Sequence, residues 1–434
     1  MSSKPQIKTA ILGAGPGGLT LASLLSLNLS PNVTTDYTIF DLRPRPSPEQ
    51  LSHPSGSLDL HAESGLLALA ACNLTSQFQA LKQECSEASI IADANGTVHW
   101  SDEGFGDRPE IARNKLTELL LSGVPEERIR WGCKVVSLSE SISEESFDLV
   151  IGSDGAHSRV RSLLTQIQPH YSSISCLTLT IPQIRTSYPH LSTTIGTGSF
   201  MAMGHCKAVM SQRGAGASAR VYLMLRTDSE SFFQDSGIGN LCSSPEKLKE
   251  KLLGDEQLFG SANWGNGIRD LIAAGCDAET EALALDSKSG NSTRTYEREG
   301  ITARPLYMLP TDFTWTHKSG LTLLGDAAHL MTPFAGEGVN CAMLDALELS
   351  KAISSSLPQP GSTNEEILDV MDRKIEVYEK EMWTRVHPIQ EETLRNLHMM
   401  MDDVDAPKGF VEWMRGMIEA GMAGDADGEG GERR

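Results

Sequence analysis

Gly13-Ala14-Gly15-Pro16-Gly17-Gly18 limits what this chain can fold into more than any other stretch. It is a G-x-G-x-x-G pattern between an apolar run, Lys8 to Leu12, that reads as a buried strand, and a segment, Leu19 to Leu27, that reads as a helix. A second strand, Tyr37 to Phe40, ends at Asp41, 28 residues after Gly13. In that context each glycine has its own task. Gly13 allows a tight turn, Gly15 lets an anionic group come close to the backbone, and Gly18 lets the helix lie close to the strand. The helix N-terminus offers N–H groups and partial positive charge to a pyrophosphate, and Asp41 offers an acceptor to a ribose. The unit predicts dinucleotide binding; a glycine turn of the same composition without strand, helix and acid would bind nothing.

Two further stretches repeat the arrangement of strand, turn and helix. Leu321 to Leu324 reads as a buried strand, followed by Gly325-Asp326, then Pro333, Gly336 and Gly338, and apolar residues at helical spacing from Val339. Phe147 to Arg161, FDLVIGSDGAHSRVR, starts a strand at Asp148, turns at Asp154-Gly155 and enters a helix at Ser158 and Arg159. Three units that each put an acid and glycines at the carboxyl end of a strand are hard to obtain by chance. They point to an α/β fold with a Rossmann-like sheet.

Between these units the character changes. Gly56 to His61, GSLDLH, alternates like a strand, with Asp59 and His61 facing either a ligand or water. Ser89 to Trp100 is a hairpin signal around Asn95-Gly96, and Ile111 to Leu121 reads as a helix with Arg113 near its start. From Tyr171 to about Glu299 most segments read as strands, with helices at Pro245 to Leu253 and Ile268 to Ala274. After Leu347 the chain reads as helical: Glu365 to Trp383, a break at Pro388, then Glu391 to Met401 and Gly409 to Met422. We therefore expect a discontinuous Rossmann-like domain (1–72, 105–170, 300–382) interleaved with a β-sheet substrate domain (73–104, 171–299), C-terminal helices (383–422) and a disordered tail (423–434).

Composition removes several functions. A chain of 434 residues exceeds one ordinary core. Its 37 basic against 57 acidic residues, a net charge of −20, argue against nucleic acid or an anionic membrane as the main partner. No run reaches the roughly 18 apolar residues of a membrane span. Eight cysteines without metal-ligand spacing read as free thiols in a reducing, cytoplasmic setting with no metal site.

On these residues the chain resembles the FAD-dependent aromatic hydroxylases, the para-hydroxybenzoate hydroxylase-like flavoprotein monooxygenases. Gly13 to Gly18 matches their dinucleotide fingerprint, Asp148 to Arg161 their Asp-Gly motif, and Leu324-Gly325-Asp326-Ala327-Ala328-His329 with Pro333 and Gly336-x-Gly338-x-Asn340 their Gly-Asp motif. The phrases GSLDLH (56–61), EIARNKL (110–116) and GDAAHLMTPFAGEGVN (325–340) are most similar to the tetracycline-inactivating monooxygenases. The resemblance runs from about Thr9 to Asp345 and is thin between Tyr171 and Glu299.

The resemblance implies noncovalent FAD, NADPH or NADH, and O2. Its cofactor contacts would be Gly13, Gly15, Gly18, Asp41, Arg43, Arg113, Asp154, Gly325, Asp326, Gly338, Val339 and Asn340. The pyrophosphate would lie on the helix after Gly18, the adenosine ribose on Asp41, and the ribityl chain or pyrophosphate near Asp326 and Arg113. Pro333, Gly336, Gly338, Asp59 and His61 would flank the flavin, with the helix N-terminus near Gly338 at its pyrimidine edge. No side chain is singled out as catalytic, because a flavin C4a-hydroperoxide would carry out the hydroxylation or epoxidation. Asp154 and Arg159 would meet NAD(P)H transiently. Phe200, Met201, Met203, His205 and Phe334 are the substrate candidates, Phe200 standing where the tetracycline enzymes have a strand arginine. The expected substrate is an aromatic or polycyclic small molecule less polar than tetracycline, and the expected enzyme a monomer or weak dimer. An NAD(P)H oxidase or dehydrogenase without oxygen transfer, and a non-catalytic flavin-binding protein, remain the alternatives.

Overall fold

The computed structural model describes residues 6–27, 34–82, 86–104, 106, 108–135, 147–289, 300–356, 363–404 and 406–428. Its strands are β1 (Gln6–Leu12), β2 (Thr34–Phe40), β3 (Ser57–Asp59), β4 (Ser89–Asp93), β5 (Val98–Asp102), β6 (Glu110–Ala112) and β7 (Ile129–Arg130). They continue as β8 (Leu149–Gly152), β9 (His170–Ile181), β10 (Ser199–Gly204), β11 (Lys207–Gly214), β12 (Ser218–Arg226), β13 (Thr302–Met308) and β14 (Leu321–Leu323). The chain divides into two compact units, one of Met1–Cys85, Phe105–Ser172 and Leu306–Leu394, the other of Ser86–Gly104, Ser173–Pro305 and Arg395–Arg434.

The first unit is built on a five-stranded sheet of order β14-β8-β1-β2-β7, whose neighbours pair in parallel. Parallel strands are covered on both faces, and β8, Leu-Val-Ile-Gly, is buried at every position. Because the strands run the same way, their carboxyl ends share one edge, which gathers Gly13 after β1, Asp41 after β2, Ser153 after β8 and Gly325 after β14. The strand order reverses at β1, flanked by β8 on one side and β2 on the other. Ligands of open α/β sheets bind at such a switch point. The helices Pro16–Leu27 and Gly338–Ser354 pack closely: a Cβ on Gly17 would lie 3.0 Å from the carbonyl oxygen of Ala342. A short antiparallel pair, β3 with β6, sets Ser57 opposite Ala112 and Asp59 opposite Glu110, which brings Arg113 beside Gly56.

The second unit carries a seven-stranded sheet of order β13-β9-β12-β11-β10-β4-β5, with Leu177, Leu179, Val221, Leu223, Phe200 and Ala202 in one core with Leu248, Ile268 and Ile272 of its helices. Among the described residues no helix is long and apolar enough to cross a membrane.

The C-terminal region departs from expectation. Asn364–Met401 is one helix that runs through Pro388. A proline inside a helix costs about 3 kcal/mol. Val386 and Gln390, buried on either side, show that packing rather than local preference holds this segment. A second helix spans Lys408–Gly428, so 423–428 of the expected tail are helical. Residues 429–434 lie outside those described.

Candidate functional site

The glycine loop discriminates between its residues. Gly13 has φ +108°, and a Cβ there would collide with the carbonyl oxygen of Ser153. A Cβ on Gly18 would collide with the carbonyl oxygen of Gly13 and lie 2.7 Å from Ser153 Oγ. Both are therefore glycine for packing. A Cβ on Gly15 meets nothing within 4 Å. The protein gives Gly15 no packing reason to lack a side chain; a ligand lying on the backbone supplies one. The cradle fits a dinucleotide pyrophosphate.

Asp41 is 4% exposed and already committed. Its Oδ2 accepts from Ala14 N (2.7 Å) and Arg43 Nη2 (2.8 Å), and its Oδ1 from Arg43 N (2.8 Å) and Arg43 Nε (3.0 Å). Burial pushes its pKa up, but the Arg43 guanidinium and the Ala14 N–H outweigh that and hold it below the usual value. Asp41 thus pins the glycine loop and aims Arg43, whose side chain is 67% exposed. A ribose hydroxyl would have to share or displace one of these bonds.

The turn after β14 is held from beneath. Gly325 takes φ +60° and donates its N–H to Asp345 Oδ2 at 3.0 Å. The same oxygen meets His329 Nε2 at 2.6 Å, and Asp345 Oδ1 accepts from Arg385 Nη2 at 2.6 Å. Burial raises the Asp345 pKa, but His329 and Arg385 more than offset it, so the carboxylate stays ionised and His329 is pushed up. Above this knot sits Asp326. By accessible surface it is exposed, yet enough protein surrounds its carboxylate that desolvation raises its pKa, against the pull of His329, Arg113 and Arg161. Arg113, at the start of the helix Arg113–Ser122, is exposed and near enough for its charge to be felt there.

Arg161 was not singled out from sequence. Its buried guanidinium donates to the carbonyl oxygens of Ala156 and Ala327 (the latter at 2.9 Å), tying the β8 turn to the turn at Asp326. Asp154 Oδ2 accepts from Arg159 N at 2.7 Å, and the Arg159 side chain is exposed.

At the entrance to the helix Gly338–Ser354 the flavin-flanking candidates separate. Pro333 is exposed and Phe334 buried; Gly336 takes φ +75°, which a residue with a Cβ rarely adopts. Asn340, expected as a cofactor contact, uses its side chain within the protein. Its Oδ1 accepts from His61 N (3.0 Å), Gly65 N (3.3 Å) and Ser64 Oγ (3.3 Å), and its Nδ2 donates to Asp59 O (3.1 Å). What it can still offer a cofactor is backbone, as with Gly338 and Val339. His61 faces neither water nor an open ligand site: its ring lies between Asp59 Oδ2 (2.9 Å from Nε2) and Glu337 Oε1 (3.1 Å from Nδ1). Burial lowers its pKa, but the two carboxylates override this and raise it to about 9.

The substrate candidates of the second unit change most. Phe200 is opposite Ser211, and Ala202 opposite Val209; Phe200 is 2% exposed inside the helix-facing core. It does not stand on an open face. Met201 and Met203 point to the other face, Met203 fully buried and Met201 partly. His205 lies in the tight turn between β10 and β11, at φ +54° against Trp264. The face opposite the helices also carries Arg220, which donates to Thr180 Oγ1 at 2.8 Å, with Gln212 opposite it on β11.

The family model described as an FAD binding domain matches residues 310–383. Monooxygenase asqM of Emericella nidulans is 34% identical over 449 residues, which cover 92% of this chain and 96% of that protein. Klebsiella pneumoniae HpxO, solved with FAD and uric acid, aligns with a TM-score of 0.65 at 15% identity, over 94% of this chain and 92% of that one. The tetracycline destructase Tet(51) aligns with a TM-score of 0.58 at 14% identity, over 94% of each chain. At these identities the two structures speak to the fold alone.

Proposed function

The chain belongs to the FAD-dependent monooxygenases, and from that premise we propose that it uses NADPH or NADH to insert one oxygen atom of O2 into an aromatic or polycyclic small molecule, by hydroxylation or epoxidation. The observation that carries the cofactor assignment is Gly15, a glycine with no packing reason to be one, at the carboxyl edge of β1. FAD supplies the acceptance of electrons from the nicotinamide and the activation of oxygen. The chain's own part is to bind, orient and exclude water.

In this reading the backbone at Gly15 receives the pyrophosphate and Arg43 the adenosine side, aimed by Asp41. Asp326 accepts a ribityl hydroxyl or orders the pyrophosphate with Arg113, and Arg161 keeps the two turns in register. Pro333 and the backbone N–H groups of Gly338, Val339 and Asn340 meet the flavin, the helix end favouring negative charge at its pyrimidine edge. Arg159, exposed beside the Asp154 turn, receives the coenzyme's phosphate. The expectation of a substrate less polar than tetracycline loses its ground with Phe200 in the core. Arg220 and Thr180, bonded to each other, and Gln212 make the opposite face polar, which supports a substrate with polar groups on its rings. Uric acid, found with HpxO, is one such ring system. The enzyme acts in the cytoplasm as a monomer or weak dimer, a setting that the free thiols of the described cysteines support.

The test is aerobic turnover of the yellow protein with NADPH or NADH and a panel of phenols, indoles and nitrogen heterocycles under 18O2. Product carrying one labelled oxygen, with little hydrogen peroxide, is the expected result. Stoichiometric peroxide with every substrate would support the oxidase alternative. A flavin that neither coenzyme reduces would support a binding protein.

A further inference from the structure

Glu337 is a carboxylate at the N-cap of the helix Gly338–Ser354, immediately after the turn at Gly336. A negative charge there opposes any ligand that gathers negative charge at the same helix end. The fold answers it with His61, brought from 276 residues earlier in the chain. Both ring nitrogens face carboxylates, Nδ1 at 3.1 Å from Glu337 and Nε2 at 2.9 Å from Asp59. A neutral imidazole has one donor and one acceptor nitrogen, so one contact would set a lone pair against an anion. Only the imidazolium satisfies both.

The ring has no freedom to leave. It is 3% exposed, and Asn340 grips both the backbone N–H of His61 and the carbonyl of Asp59. Glu63 is the other carboxylate facing it, 4.0 Å away and 77% exposed, where water screens it. A raised pKa of about 9 agrees with this geometry.

We propose that His61 is a fixed cation that offsets Glu337 at the head of the helix Gly338–Ser354, and that this charge sets how readily a flavin bound against that helix end accepts electrons. His61 is then a positioning residue for cofactor reduction. The proposal rests on the assignment above of the flavin's pyrimidine edge to this helix end. It also gives a role to Glu337, which lies between the motif glycines Gly336 and Gly338.

The cluster of Asp59, His61 and Glu337 carries −1 with the ring protonated. His61→Gln makes it −2, Glu337→Gln makes it 0, and the double variant restores −1. The experiment is the midpoint potential of bound FAD by equilibration with a reference dye at pH 7, beside the melting temperature and FAD affinity of each protein. His61→Gln should lower the ratio of reduced to oxidised flavin at a fixed potential about tenfold, and Glu337→Gln should raise it about tenfold, ~30 mV each way for a two-electron couple. The double variant should return close to the parent. If His61→Gln does not fold, Glu337→Gln, which keeps the contact between His61 and Asp59, still carries the test. Potentials unchanged across all variants, with lowered melting temperatures, would make His61 a tether alone and overturn the proposal. A parent protein that binds no FAD would instead overturn the cofactor assignment.

Discussion

Alkaline pH should remove a defined part of this protein's stability, and the part belongs to His61. Its pKa rises from 6.5 to about 9, because hydrogen bonds and charge from Asp59 and Glu337 outweigh the burial that pulls it down. At 1.36 kcal/mol per unit the upper figure is roughly 3 kcal/mol. Asp59 is 35% and Glu337 23% exposed, so solvent screens the pair and about 2 kcal/mol is the expected effect. The sign follows from a raised folded-state pKa. The contribution is complete below 6.5, declines as the unfolded chain loses its proton, and is gone once pH passes about 9. Urea midpoints of the FAD-loaded parent and of His61→Gln, at fixed FAD concentration from pH 6 to pH 10, measure it. His329 and His317, also raised, titrate in both proteins and cancel in the difference. The gap should be widest at pH 6 and shrink to a constant remainder near pH 10. A gap of equal size at both ends would refute the imidazolium, and a gap that widens with pH would reverse the argument.

Asp326→Asn should weaken FAD about 10- to 100-fold, the loss of one or more charge-assisted hydrogen bonds of about 1.5–3 kcal/mol each; unchanged affinity in a fluorescence titration, with a lower melting temperature, would reduce Asp326 to a turn residue. Asp345→Asn removes the counter-charge of His329 and Arg385 and should destabilise the first unit by about 3–5 kcal/mol in chemical denaturation; a loss within 0.5 kcal/mol, inside ordinary surface effects, would mean the knot beneath Gly325 is dispensable. Phe200→Ala should cost about 3–5 kcal/mol and expose the second unit to limited proteolysis; a variant as resistant as the parent would contradict its place in the core.

Local features were legible in the sequence and long-range ones were not. Gly13, Gly18 and the strand and helix around them interact within a few residues or across adjacent strands, so spacing alone carried their roles. The sequence resemblance to flavoprotein monooxygenases rested on such motifs and holds. His61 with Glu337, and Asn340 with Asp59, join residues far apart in the chain, and no local pattern announces them. Asp345 left a trace: an acid on the buried face of a helix between Met343 and Ala346. Phe200 failed for a different reason. Side chains alternate along a strand, so placing it by similarity to a divergent segment depends on register, and a shift of one residue moves it to the opposite face. Its pairing with Ser211 turns it to the helices. By local preference Pro388 is a helix break, and the burial of Val386 and Gln390 on either side overrides that preference.

The central claim is that FAD lies on the backbone at Gly15. Titration of apoprotein with FAD, followed by flavin fluorescence, tests it in three proteins: the parent, Gly15→Val, and Gly254→Val, where added atoms also begin in open space but at the exposed last residue of the helix Pro245–Gly254, in the other unit. Gly15→Val should fold as the parent does and lose FAD at least about 100-fold, by steric exclusion of the pyrophosphate, while Gly254→Val binds normally. A Gly15→Val protein that binds FAD as tightly as the parent would contradict the cradle and the account built on it.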